Sequence, residues 1–277
     1  MKGFFFIALL LVSLVVLIVV LSRISRSSKP VSATSGALIP LLPPAKMYDT
    51  STCYVRPPSR GLRIYRGTEA GPQYPFVGAL KYRDVYLCGL SLVAPLWCLG
   101  AAHCISYLSD MTVTVGRFDL DLVDVGQVRN IVEFHAHPRF NTSTFEADIA
   151  LFKMDQPIDD IRPICLPVNG ITDREEYLVV GWGATENAAA TTRLQQVTVY
   201  PAKDCLMSTE ETVCAINNII LGGPCLGDSG GPLFHLDEKT QHYVIDGVVS
   251  RGASRCVSSP TSFTRVASYI DWILATI

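Results

Sequence analysis

The chain has 277 residues and a formal net charge of −2. The 214 residues that follow residue 63 (277 − 63) are ample for one folded domain. Because this part of the chain has no run of basic residues, nothing in the charge suggests binding to nucleic acid. Nine cysteines next to an apolar N-terminus indicate disulfides formed in an oxidising compartment.

The N-terminus contains an apolar run over residues 4–21 that is interrupted only by Ser13. The run is longer than the apolar stretch of most signal peptides, about 7–15 residues, and near the lower limit for a spanning helix, about 17–25. Basic residues follow it at positions 23, 26 and 29, and they oppose the positive-inside tendency if the rest of the chain is exported. For residues 1–22 we favour a cleaved signal peptide, and hence a secreted protein. The alternative is a signal anchor, and hence a single-pass membrane protein with its folded domain outside the cell.

Residues 23–63 are rich in serine and proline, which predicts an extended linker or propeptide and not a second folded module. Short β-rich runs follow within residues 64–277 and are separated by turn residues, at 85–93, 111–115, 127–136, 177–180, 195–199 and 243–249. This pattern predicts an all-β barrel protein. Helical apolar spacing over residues 266–273 predicts a C-terminal helix.

A serine flanked by glycines, Ser229 in Gly227-Asp228-Ser229-Gly230-Gly231, can be held on a tight turn with its hydroxyl exposed. The segment fits the nucleophile turn of a chymotrypsin-like protease, the elbow of an α/β-hydrolase, or a structural turn. An α/β-hydrolase places its acid and histidine after the serine, and too little chain remains for that fold. Upstream, by contrast, are His103 and then Asp148, which is the order of chymotrypsin-like proteases.

These three residue types suit nucleophilic catalysis. A serine hydroxyl needs a base to take its proton, and the pKa of histidine lies near the working pH. A buried carboxylate fixes the imidazole tautomer, and the apolar residues after Asp148 would carry it into the interior. The simpler interpretations are a core histidine for His103 and a turn residue for Asp148.

From Ile64 to the C-terminus the sequence resembles the trypsin/chymotrypsin family, on Ala101-Ala102-His103-Cys104, Asp148-Ile149-Ala150-Leu151 and the segment around Ser229. The resemblance implies two antiparallel six-stranded barrels with the active site between them and a short C-terminal helix. It implies a serine endopeptidase with the catalytic residues His103, Asp148 and Ser229. The alternative is a catalytically silent homologue that acts as a binding or regulatory module.

The resemblance also implies roles around the triad. The N–H groups of Gly227 and Ser229 would form the oxyanion hole, and Ser250-Arg251-Gly252 would pair with substrate, with Arg251 in place of the usual tryptophan. Cleavage after Arg63 would free the amine of Ile64 to pair with Asp228, so that the chain is made as an inactive zymogen.

The primary specificity pocket would be lined by Gly223, Gly252 and Thr261. Gly223 stands where trypsin-like members have an aspartate, so we expect no preference for lysine or arginine. Thr261 stands where a glycine is usual and would narrow the cavity. We therefore expect cleavage after small or medium apolar residues.

Spacing cannot give the disulfide connectivity, but the resemblance implies four pairs: Cys53–Cys165, Cys88–Cys104, Cys205–Cys214 and Cys225–Cys256. Cys98 is left over, and we expect a buried thiol. A further bridge of the family is missing, because Tyr177 and His235 occupy its positions. The partners implied are protein or peptide substrates, an activating protease and serpin-type inhibitors, with a membrane only if the anchor is retained. We expect no cofactor and no metal site, and glycosylation at Asn141 in Asn141-Thr142-Ser143.

Overall fold

Antiparallel strands are the main secondary structure of the chain that the computed structural model describes, which comprises residues 48–56, 68–105, 109–168, 170, 174–185, 191–206, 208–217, 223–252 and 259–277. These residues lie in one compact unit, Ala45–Ile277. The strands are β1 (Thr68–Glu69), β2 (Val77–Tyr82), β3 (Val85–Ala94), β4 (Trp97–Gly100), β5 (Met111–Val115), β6 (Gln127–Ala136), β7 (Ala150–Met154), β8 (Tyr177–Gly181), β9 (Gln195–Pro201), β10 (Thr212–Ile216), β11 (Pro232–Asp237), β12 (His242–Arg251) and β13 (Thr261–Arg265).

The strands close into two six-stranded antiparallel barrels, which confirms the predicted fold class. The first barrel has the strand order β2-β3-β4-β7-β6-β5. In the second, the order β9-β10-β13-β12-β11-β8 is closed by pairing of β8 with β9, and β1 is added at the edge of β9. A 3₁₀ turn (Val266–Tyr269) and helix α1 (Ile270–Thr276) end the chain, so the predicted helix begins one turn later than its apolar spacing suggested.

Large apolar side chains fill the first barrel, among them the fully buried Leu80, Leu90, Leu99, Leu151 and Phe152. A cluster of aromatic rings continues this core toward the second barrel: Tyr74, Phe76, Phe234 and Tyr243 lie with ring centroids 5.2 to 6.1 Å apart. Because such rings bury large apolar areas and meet in edge-to-face geometry, they fix the barrels against each other.

Part of the predicted linker, residues 48–56, packs against the barrels. The N–H of Tyr54 donates to the carbonyl of Pro163 at 2.7 Å, and its ring lies 5.6 Å from that of Phe76. Cys53 is fully buried and bonded to Cys165. A disulfide and buried rings therefore hold this segment in place, although its composition is that of a linker.

The apolar run at residues 4–21 lies outside the described residues. Within the described ranges, the structure contains no helix that is long and apolar enough to cross a membrane.

Candidate active site

His103 lies in a 3₁₀ turn, Ala102–Cys104, directly after strand β4. The Cys88–Cys104 disulfide, with Cα atoms 6.2 Å apart, joins this turn to β3. The imidazole is 22% exposed, so one part of the ring is accessible while the rest is packed. Strand, turn and disulfide together give the histidine a fixed position at the surface of the first barrel.

Asp148 is fully buried and in contact with His103. Its Oδ2 lies 2.7 Å from His103 Nδ1, and its Oδ1 accepts the His103 backbone N–H at 3.0 Å. The preceding turn contains Phe145 and Ala147 with φ of +59° and +49°, values that are uncommon for residues other than glycine. This turn takes the chain inward, so that the carboxylate lies beneath the imidazole.

Two side chains of the second barrel complete the environment of Asp148. The hydroxyl of Ser250, on β12, donates to Oδ2 at 2.6 Å, and the hydroxyl of Thr264, on β13, donates to the Asp148 carbonyl at 2.9 Å. A buried carboxylate and a buried carbonyl each require such a donor to offset their lost hydration. Sequence reasoning assigned Ser250 to substrate pairing only and missed Thr264, because neither has a local motif that relates it to Asp148.

The loop that carries Ser229 packs against the His103 turn. The carbonyl of Ser229 accepts the N–H of Gly89 on β3 at 2.8 Å, and the Gly230 N–H donates to Val249 on β12 at 2.8 Å. Gly230 has a φ of +78°, and a Cβ there would lie 3.2 Å from Cys104 Sγ. A larger residue would be strained and crowded, so glycine allows the close approach of the two loops.

Hydrogen bonds hold Gly227 and Asp228 in place. The hydroxyl of Tyr86 donates to the Gly227 carbonyl at 2.7 Å, and the Asp228 carboxylate accepts the N–H groups of Gly183 and Cys225 at 2.9 and 2.8 Å. Desolvation raises the pKa of Asp228 to about 6, although these two hydrogen bonds oppose the shift. The carboxyl of Asp228 is thus enclosed. In the uncut chain it has no charged amine at residue 64 to pair with, because the nitrogen of that residue is part of a neutral peptide bond.

The structure brings together the three residues expected in the primary pocket. Thr261 is buried on β13, and its hydroxyl lies 3.8 and 3.6 Å from the positions that a Cβ would take at Gly223 and Gly252. The hydroxyl therefore lies beside both glycines, on the side where each lacks a side chain.

Arg251, which precedes Gly252 in the chain, forms a wall on the ring of Phe145. Its guanidinium carbon lies 4.0 Å from the ring centroid of Phe145, and that ring lies 5.3 Å from the ring of His103. Both Phe145 and Arg251 line a cavity of about 640 Å³ that also includes Ser250. Sequence reasoning identified the charge at Arg251 but not the aromatic ring on which it stacks.

The cysteines form three described disulfides, each a pair that the resemblance implied: Cys53–Cys165, Cys88–Cys104 and Cys205–Cys214. Cys225 is also disulfide-bonded, while Cys256 lies outside the described residues. The sulfurs of Cys88 and Cys104 lie close to the His103 ring, but as a disulfide they offer no thiolate to a metal. Cys98 is free and fully buried, and burial raises the pKa of its thiol to about 12.

Some of the expected sites are seen only in part or not at all. Arg63 and Ile64 lie outside the described residues. Asn141 is exposed, and its side-chain oxygen accepts the N–H groups of Ser143 and Thr144 in a turn. At one position of the missing family bridge, His235 is buried with Nδ1 2.6 Å from the carboxylate of Asp246.

Comparison with known proteins agrees with this geometry. The trypsin domain profile matches residues 64–273. The chain is 32% identical to human kallikrein-11 over 77% of its length and 80% of the relative's. It is 33% identical to phenoloxidase-activating factor 3 of Holotrichia diomphalia, over 73% and 68%, and 33% identical to ovochymase of Halocynthia roretzi, over 77% and 15%. The match thus spans most of kallikrein-11 but under a sixth of ovochymase.

A double barrel with a buried aspartate beneath a histidine, together with these matches, defines the class as chymotrypsin-like. The chain belongs to the trypsin family of serine proteases.

Proposed function

We propose that the protein is a serine endopeptidase that hydrolyses peptide bonds with His103, Asp148 and Ser229. The observation that carries the proposal is the His103–Asp148 contact of 2.7 Å, in which the carboxylate is fully buried and the imidazole is partly open to solvent. A histidine held in this way can act as a base toward a hydroxyl in the cleft, whereas a structural core histidine would be enclosed.

In the proposed mechanism, His103 donates Nδ1–H to Asp148, which leaves Nε2 free to accept the Ser229 proton. The serine oxygen attacks the peptide carbonyl, and the protonated imidazole then transfers its proton to the leaving amine. The N–H groups of Gly227 and Ser229 stabilise the negative oxygen of the tetrahedral intermediate. Water attacks the resulting ester by the same route and restores the serine.

The enclosed carboxyl of Asp228 supports synthesis as a zymogen. Cleavage after Arg63 creates an amine at Ile64 that is mostly charged at neutral pH. Pairing with this cation would favour the ionised form of Asp228, whose pKa is raised in the uncut chain. Because Asp228 follows Gly227 and also binds the N–H groups of Gly183 and Cys225, the new pair would order the loop that carries the oxyanion hole.

The preferred substrates have a small or medium apolar residue before the scissile bond. Thr261 narrows the pocket, and Gly223 provides no carboxylate for a basic side chain. The protein would act outside the cell, glycosylated at Asn141, after cleavage by an activating protease and under control by serpin-type inhibitors. If residues 1–22 are retained as an anchor, it would act at the membrane surface.

Labelling with a fluorophosphonate tests the proposal, because the reagent reacts with activated serines. We expect the protein cleaved after Arg63 to be labelled, the uncut protein to be labelled far more slowly, and the cleaved Ser229→Ala variant not to be labelled. An absence of labelling in the correctly cleaved, folded protein would favour the silent homologue, which acts by binding alone.

A further inference from the structure

A second cavity, of about 400 Å³, opens on the second barrel, among the start of β8, the end of β9, β10 and the end of β13. Three cationic residues line it: Arg174, Lys203 and Arg265. The only acidic residue among the described lining residues is Glu210. This cavity, which we call the basic cavity, has no part in the proposed catalytic steps.

The guanidinium of Arg265 is held rigidly at one side of the basic cavity. Its Nε donates to the carbonyl of Glu210 at 3.1 Å, and its Nη2 donates to the carbonyl of Thr212 at 2.9 Å. These bonds use backbone acceptors and leave the positive charge without a carboxylate directly bound to it among the described contacts. An arginine fixed in this way loses little side-chain entropy when it binds an anion.

Arg174 provides an independent indication of a ligand. Its Nε is buried and has no hydrogen-bond partner among the described residues. A buried guanidinium N–H without an acceptor is costly, so an acceptor from outside the chain would relieve an existing penalty. Lys203, in contrast, is exposed and adds a mobile charge at the cavity mouth.

Two carboxylates are described in contact with these cations or with the cavity: Glu210 in the lining and Asp246 close to Arg174 and Arg265. Asp246 interacts electrostatically with Arg174 and Arg265, but it is bound to His235 at 2.6 Å and almost fully buried. Among the described lining residues, three cations face one carboxylate, in a chain whose formal net charge is −2. General attraction between the whole protein and anions is therefore absent, and an anion would have to be recognised at the site itself.

We propose that the basic cavity binds a tetrahedral oxyanion, either free sulfate or phosphate or the same group as an ester on a carbohydrate. Arginine side chains match such oxyanions because their N–H groups donate in a fixed planar fork. In the complex, Arg174 would donate its unpaired Nε–H, Arg265 would supply charge from the opposite side, and Lys203 would cover the opening. The site lies behind residues 208–212, whose other side lines the cleft that contains Ser250 and Arg251.

Calorimetric titration of sodium sulfate and of sucrose octasulfate into the full-length, uncut Ser229→Ala protein tests the proposal, with ionic strength held constant by sodium chloride. Neither titration depends on peptidase activity, so a lack of anion binding would be distinguishable from a failure of the proposed function. We expect saturable binding of sulfate that weakens about tenfold in Arg174→Gln, where a charge-assisted hydrogen bond is lost. Lys203→Gln should weaken it less, and the control Arg83→Gln, an exposed residue of the first barrel, should leave it unchanged.

The two probes also separate the possible sources of the anion. Octasulfate that binds much more tightly than sulfate, with the same dependence on Arg174, indicates an ester on a carbohydrate, whereas similar affinities indicate the free ion. Saturable binding that is unchanged in both Arg174→Gln and Arg265→Gln would overturn the proposal, as would the absence of saturable binding by either probe. Thermal stabilisation by sulfate alone would not count as support, because sulfate stabilises most proteins by exclusion from their surface.

Discussion

At the scale of single residues, Asp148 connects the two barrels. Its carboxylate faces His103 of the first barrel, while Ser250 and Thr264 of the second barrel donate to its Oδ2 and its carbonyl. The bond from Ser250 restricts the carboxylate to one orientation, which in turn restricts the imidazole, while the bond from Thr264 fixes the backbone of Asp148. Ser250 is therefore a positioning residue, in addition to its expected place beside the substrate.

The first prediction concerns Ser250→Ala. Loss of the 2.6 Å hydrogen bond to Asp148 should lower kcat about tenfold. This factor corresponds to about 1.5 kcal/mol, which is typical of a hydrogen bond to a charged group. The effect should appear in kcat more than in KM, because the bond orients the base and does not bind substrate. Steady-state kinetics over pH 5–9 measure both, and Ser250→Thr, which retains a hydroxyl, should restore part of the rate.

Ser91→Ala is the matched control. Ser91 is a fully buried serine of the first barrel whose hydroxyl has no hydrogen-bond partner among the described residues. Its loss should leave kcat unchanged and leave stability equal or slightly higher. If Ser250→Ala also had an unchanged kcat, the positioning role would be wrong.

How far single residues could be predicted depends on whether their role is local. His103, Asp148 and Ser229 have recognisable neighbours in sequence, and the structure places the first two in contact. The Ser250–Asp148 bond joins residues 102 positions apart, and no local pattern encodes such a pair. The same holds for the ring of Phe145 beneath Arg251, which depends on a turn with unusual backbone angles.

At the scale of elements, the loop of residues 225–231 contains both the proposed nucleophile and an acid with a raised pKa. In the uncut chain the pKa of Asp228 is about 6 because of desolvation, against an ordinary value of 3.8. The folded state therefore keeps the proton to a higher pH than the unfolded state does. The contribution of Asp228 to stability therefore falls by about 3 kcal/mol as pH rises from about 4 to about 6.

The second prediction follows for Asp228→Asn in the uncut protein. The asparagine variant lacks this titration, so its free energy of unfolding relative to that of the parent should rise by about 3 kcal/mol between pH 4 and pH 7. Urea unfolding of both proteins at several pH values measures the difference, and the raised pKa of Asp246 cancels because both proteins contain it. After cleavage at Arg63 the comparison should reverse, because the aspartate then pairs with an amine. An unchanged difference across this pH range would contradict the assignment.

The third prediction concerns the wall formed by Arg251. Its guanidinium stacks on the ring of Phe145, which contacts the ring of His103, and Arg251 precedes Gly252 of the proposed primary pocket. A substrate with an acidic residue just before the one in that pocket should therefore be favoured over a neutral one by about 1 kcal/mol, or about fivefold in kcat/KM. Arg251→Gln should abolish this preference, as measured with paired peptides.

Arg193→Gln, which changes an exposed arginine paired with Glu69, is the control for general electrostatics. It should retain the preference for the acidic peptide. Equal loss in both variants would assign the effect to net charge and not to the wall.

The strands show the same dependence on local signals. The β-rich runs predicted strands β3, β5, β6, β8, β9 and β12, with ends within two residues of those observed. Strands β2, β4, β7, β10, β11 and β13, of four to six residues each, were not predicted. Some, such as β4, are buried on both faces and lack the alternation that marks a strand. Their strand geometry is set by pairing within the closed barrels.

At the scale of the whole molecule, the Cys53–Cys165 disulfide links the segment before the activation site to the domain after it. The fourth prediction is that cleavage after Arg63 leaves one covalent species on a non-reducing gel and two fragments on a reducing gel. Cys53→Ala should release the N-terminal fragment without reduction. Two separate fragments from the unmodified protein without reductant would show that the bond does not form.

Activation itself gives the fifth prediction. Arg63→Gln should stay inactive toward apolar peptide substrates after treatment with a trypsin-like protease, whereas the parent protein becomes active. Sequencing of the N-terminus checks that the parent is cut before Ile64. Full activity in the Arg63→Gln protein would contradict the zymogen proposal.

The packing of residues 48–56 against the barrels also determines where a recombinant chain should begin. The ring of Tyr54 packs against Phe76 and Tyr243, in the aromatic cluster that joins the barrels. A recombinant chain that started at Ile64 would contain every proposed catalytic residue, yet it would lack that ring and leave Cys165 as an unpaired thiol. We therefore expect a recombinant chain that includes residues 48–56 to be more stable than one that begins at Ile64.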